Sequence, residues 1–112
     1  MSNYVLDFTK VKKRTMQVIF NDSKNTSVEV LTPTKAIMDE IIVIDELLRD
    51  PEKAENVTND MIYELCCKIV NRNTDQIKIT KKYLEQVWDI DDVYLFYYSY
   101  ANFITDQANS KN

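Results

Sequence analysis

The side chains with the most chemical reach are two adjacent thiols and a set of paired carboxylates. Cys66 and Cys67 sit inside an apolar helical pattern, and the chain has no histidine. Without an imidazole neither thiol can be activated as a Cys–His nucleophile. Two sulfurs do not fill a zinc site, and adjacent cysteines cannot staple a long loop. Small buried thiols are the expectation. The acids pair as Asp39-Glu40, Asp45-Glu46 and Asp91-Asp92. Consecutive positions on a helix point apart, so these pairs read as solvated faces rather than as an acid and a base converging on one atom. Asp89, Asp91 and Asp92 resemble a calcium loop in composition only, since its glycine and later glutamate are missing. The chain has no glycine at all, which excludes glycine-dependent phosphate loops and leaves turns to Asn and Asp, which tolerate positive φ. The expectation is a protein that is not an enzyme, with no catalytic residue, no cofactor and no metal.

Composition agrees with a binding role. The chain has 112 residues, 45% hydrophobic and 29% charged, with a net charge of −4. That size reads as one domain able to bury its own core. No apolar run approaches a membrane span, and the start lacks the apolar core of a secretory signal, so a cytoplasmic protein is expected. Basic residues gather early, at Lys10, Lys12, Lys13 and Arg14, and the remainder is acidic in balance. An acidic body lacks the footprint that nucleic acid requires.

Periodicity then supplies the elements. Residues 1–15 form an N-terminal arm in which Tyr4, Leu6 and Phe8 alternate weakly with Val5 and Asp7, as a short strand or an ordered arm. Met16–Phe20 and Thr26–Leu31 flank the polar turn Asn21–Asn25 and predict a β-hairpin over 16–31. Thr32-Pro33 reads as an N-cap followed by proline at the first helical position, opening a helix that runs to about Arg49 and ends at Asp50-Pro51. A second helix spans Thr58 to about Asn71. Ile77 and Ile79 anchor the following connection. Thr80 caps a short helix from Lys81 to Trp88. Asp91 caps a final helix to Ala108, with a frayed tail over 109–112. That last helix carries six aromatics between Tyr94 and Phe103, an arc wider than a surface helix needs, and the other elements are expected to pack around it. The predicted fold class is mainly α (α+β): a hairpin followed by a compact bundle of about four helices, with the helical core over 33–108.

Four apolar residues fall outside these core stripes. Ile42 and Val43 stand among Asp39, Glu46 and Lys35 on the first long helix, and Leu95 and Tyr98 lie on the polar side of the last. They are the candidate partner-binding residues, since tyrosine and exposed aliphatics mark protein contacts.

The hairpin, the stretch LTPTKAIMDEIIVIDELL and the C-terminal run ITKKYLEQVWDIDDVYLFYYSYANFI occur in an order that resembles the tail assembly chaperones of long-tailed phages and prophages of Gram-positive bacteria. The matching parts are Thr32-Pro33, Thr80 to Trp88 and Asp91 to Ile104, and the likeness covers about residues 16–106. The arm Tyr4–Arg14 has no counterpart in it. The resemblance implies a protein that binds and solubilises the helical tape measure protein, helps recruit the tail tube protein, works as a homo-oligomer in the bacterial host cytoplasm and contacts neither nucleic acid nor membrane. The competing expectation is a small acidic regulatory, adaptor or inhibitor protein of a mobile element.

Overall fold

A computed structural model describes residues 3–109. Two strands are followed by four α-helices: β1 (Thr15–Ile19), β2 (Ser27–Leu31), α1 (Lys35–Arg49), α2 (Asn59–Val70), α3 (Lys81–Val87) and α4 (Ile90–Asn109). The expected fold class is what the chain adopts. Before β1 the arm is extended apart from a 3-10 turn at Phe8–Lys10, where the Asp7 carboxylate accepts from the Thr9 amide. The arm forms no strand among the described residues.

β1 and β2 pair antiparallel, with Gln17 opposite Glu29. Alternation puts Val18, Phe20, Val28 and Val30 inward, all buried. The turn is closed by Asp22, whose carboxylate accepts from the Thr26 amide and hydroxyl and from the Tyr83 hydroxyl. Asn25 takes the positive φ, 52°, that a glycine-free turn leaves to asparagine.

The first helix starts later than expected. Thr34, not Thr32, is its N-cap, with its hydroxyl accepting from the Ile37 amide at 3.3 Å. Both threonines flank Pro33, and tertiary contacts decide between them. The Tyr100 hydroxyl donates to the Leu31 carbonyl and the Arg72 Nε to the Thr32 carbonyl, holding the chain at the end of β2 and just past it. α2 starts where expected, capped by Thr58, and α3 is capped by Thr80. α4 begins earlier than expected. Asp89 rather than Asp91 caps it, its carboxylate accepting from the Asp92 amide while that of Asp92 accepts from the Asp89 amide. This reciprocal pair closes the helix start as a capping box does. Asn109 still belongs to α4, and the rest of the expected frayed tail lies outside the described residues.

The centre of the molecule is α2 rather than α4. α2 touches α1, α3, α4 and β2, and Ile62, Tyr63, Leu65, Cys66, Ile69 and Val70 are all buried in it. Its aliphatic side chains allow close approach from several sides: the Cys66 thiol lies 3.9 Å from the Val93 carbonyl of α4. The large rings of α4 instead fill space from one side. Three of them continue a row of rings that runs through the core: Tyr83, Phe20, Trp88, Phe96, Tyr100 and Phe103 follow one another with centroids 5.0–5.9 Å apart. Arg14 closes the row, with its guanidinium 4.1 Å above Phe103 and donating to the Phe103 carbonyl. Such offset contacts add to the area each ring buries.

The connection between α2 and α3 is organised by two asparagines. Asn71 donates to the carbonyls of Cys67 and Ile79 and accepts from the Ile79 amide. Asn73 donates to Val70 and Ile77 and accepts from Asp75 and Ile77. Ile79 is buried as expected, but Ile77 is exposed. Its backbone, not its side chain, is what the loop uses.

Candidate partner-binding surfaces

The four candidate residues are exposed. On α1, Ile42 is 44% and Val43 53% exposed; on α4, Leu95 is 67% and Tyr98 51% exposed. They do not form one strip. Val43 lines a groove of about 360 Å³ between α1 and α2, with Ile44, Met61 and Leu65 as its apolar wall and Asp39, Glu40 and Glu64 along its rim. Lys68 reaches across that rim to Glu40 at 3.0 Å. Tyr98 lines a second groove, between α1 and α4, beside Leu48, Ala101 and Thr105. Leu95 faces a third, between α4 and β1, floored by Trp88 and Phe96.

Tyr98 is set by its neighbours. Its ring stands edge-on to Tyr97 at 5.3 Å and beside Tyr94 at 6.3 Å. Tyr97 is fully buried and donates to the Asp45 carboxylate at 2.6 Å. Burial, reinforced by that carboxylate, pushes the Tyr97 hydroxyl far above its ordinary range. Asp45 therefore has a structural task beyond solvation, holding α1 to α4 from within the wall of the Tyr98 groove.

The thiols take the expected place. Cys66 is buried, and loss of water pushes it up to about 12. Cys67 is partly buried, shifted upward by the same cause, with Asn71 nearby as an opposing influence. Only the thiolate attacks an alkylating reagent. At pH 8 iodoacetamide is therefore expected to modify the folded protein slowly, Cys67 ahead of Cys66, and both fast in urea. Mass mapping of the modified peptides checks this, and rapid labelling of Cys66 in the folded protein would contradict it.

The arm is the surface that sequence reasoning passed over. Tyr4, Val5, Leu6 and Phe8 are 91%, 83%, 74% and 69% exposed. The signal was present: apolar residues occupy both sides of the alternation, which a strand with one solvated face would not show. Among the described residues no group of three or more His, Cys, Asp or Glu side chains is placed to hold a metal ion, and no helix is long and apolar enough to cross a membrane. No protein-family model, curated protein or solved structure matches this chain.

Proposed function

We propose that this protein is a holding chaperone for a helical client, of the tail assembly type: it binds the tape measure protein, keeps its apolar faces from aggregating in the bacterial host cytoplasm, and helps deliver it to the tail tube protein. The observation that carries this reading is the apolar furrow between α1 and α2, joined on the other side of α1 by a more polar one in which Tyr98 stands among Asp45, Arg49 and Asn102. Val43 opens into the first, on a body of net charge −4. A furrow between two helices accepts the apolar stripe of a third helix, and an acidic exterior keeps a chaperone–client complex soluble. A holding role needs surface and charge but no reacting group.

Co-expression with a long helical tape measure protein tests the reading directly. The client is expected to stay soluble and to co-purify. Val43→Asp and Tyr98→Asp each put an unpaired charge where the client's apolar stripe would lie, at a cost of roughly 2 kcal/mol or more. Each is expected to weaken client binding at least tenfold while leaving the thermal transition of the free protein nearly unchanged. Full retention of binding in both variants would place the client elsewhere, and a client equally soluble without this protein would overturn the chaperone reading.

A further inference from the structure

The hairpin has one covered edge and one open edge. Antiparallel pairs alternate in which peptide groups face the partner strand. The Glu29 amide donates to the Asp75 carboxylate, the Glu29 carbonyl accepts from the Thr74 amide, and the Leu31 amide donates to the Arg72 carbonyl. These odd-numbered groups of β2 therefore point away from β1, toward the segment 72–75, which covers that edge. It follows that Val28 and Val30 bond to Val18 and Met16, their partners in the register. The peptide groups of Thr15, Gln17 and Ile19 then face the far side of β1, where among the described residues no strand lies.

Open edges are usually blunted by a charge, a proline or a bulge. Thr15–Ile19 carries none of these. Its surroundings suit an added strand. Below the edge, Trp88, Phe96 and Leu95 floor a furrow beside Met16 and Val18. Ile19 and Leu95 are among the most exposed aliphatics outside the arm, at 61% and 67%.

We infer that a second copy of this chain covers the edge, through antiparallel pairing of β1 with β1 about a two-fold axis at Gln17. The strand is self-complementary in that register and in no other uses all its free groups: Gln17 pairs with Gln17, and Thr15 with Ile19 in both directions. Met16 of one copy then lies beside Val18 of the other on the inner face, and the two Leu95 side chains are drawn toward the axis. The result is a four-stranded sheet shared by two protomers, an isologous contact that closes on itself. The inference is independent of the client-binding reading, since it uses the hairpin edge and not the furrows flanking α1.

Sedimentation velocity from micromolar to millimolar concentration, at low salt, tests it. The unmodified chain is expected to form a dimer. Gln17 is exposed and, among the described residues, its side chain bonds to Ser27 and stands opposite Glu29, so Gln17→Lys is expected to fold normally by circular dichroism and Gln17→Glu to fold with a small loss of stability that urea unfolding of the dilute protein measures. Like charges set directly opposite in a sheet repel, so each variant alone is expected to dimerise at least tenfold more weakly, and an equimolar mixture of the two to recover the dimer. A chain that stays monomeric throughout, a dimer indifferent to both substitutions, or a mixture that fails to recover would each overturn the proposed pairing.

Discussion

Trp88→Ala is expected to remove about 3–5 kcal/mol of stability, the range for losing a large buried aromatic. For a domain this size that is a large part of a total near 5–15 kcal/mol. The side chain is nearly fully buried and lies between Phe20 and Phe96, 5.0 Å from each ring. It therefore joins the hairpin to α4 through the middle of the aromatic row, and alanine leaves a void that neither neighbour can enter without breaking a further ring contact. Its backbone bonds are unaffected: its amide donates to the Leu84 carbonyl and its carbonyl accepts from the Tyr63 hydroxyl. The loss should thus be one of packing, and Trp88→Phe is expected to recover more than half of it. Urea unfolding followed by tyrosine fluorescence measures both variants. A loss below about 1 kcal/mol for alanine would mean that the core collapses around the gap.

Much of this architecture could be read from local pattern. The hairpin follows from alternation around a polar turn, and α2 and α3 from Thr58 and Thr80 standing before apolar periodicity. Where local rules allow two answers, distant residues choose. Thr32 and Thr34 are equally good caps on either side of Pro33, and Arg72 with Tyr100 selects the second by binding the backbone before it. The identity of the central helix was hidden for a similar reason. Aromatic mass marks α4, but centrality depends on how many neighbours can approach, and that favours the smaller side chains of α2. Gln76, at φ 58°, is outside the expected turn residues. Its conformation is imposed by Asn73, which bonds backbone on both sides of it.

The candidate surface was legible residue by residue but not as a shape. Angular position on a helix shows that Val43 and Tyr98 leave the core, and both do. It does not show that they open into separate furrows, because that depends on which helices stand on either side of α1. The open edge of β1 was less legible still. It is defined by what covers β2, and the covering segment lies more than forty positions later in the chain, at residues 72–75.

Asn73→Ala is expected to destabilise by about 2 kcal/mol, the net worth of several hydrogen bonds at a partly solvated site. The side chain bonds four backbone groups: it donates to the carbonyls of Val70 and Ile77 at 2.8 and 2.9 Å and accepts from the amides of Asp75 and Ile77 at 3.1 Å each. Asn73→Asp keeps the two accepting contacts but turns a carboxylate oxygen on the Val70 and Ile77 carbonyls, so a loss at least as large is expected there. The consequence for β2 is larger than the energy suggests. Asn73 shapes the segment whose Arg72, Thr74 and Asp75 groups cover Glu29 and Leu31, and a loosened segment uncovers that edge. Hydrogen exchange at the Glu29 and Leu31 amides is therefore expected to accelerate well before that of Val28 and Val30, which remain paired to β1. A hairpin bonded on β1 by a second copy and newly open on β2 has two usable edges, and strands with two usable edges add without closing. Asn73→Ala is accordingly expected to convert a closed dimer into larger species that grow with concentration. If it loses stability but keeps slow exchange at Glu29 and Leu31, the segment 72–75 covers β2 without help from Asn73, and the loop is held by Asn71 alone.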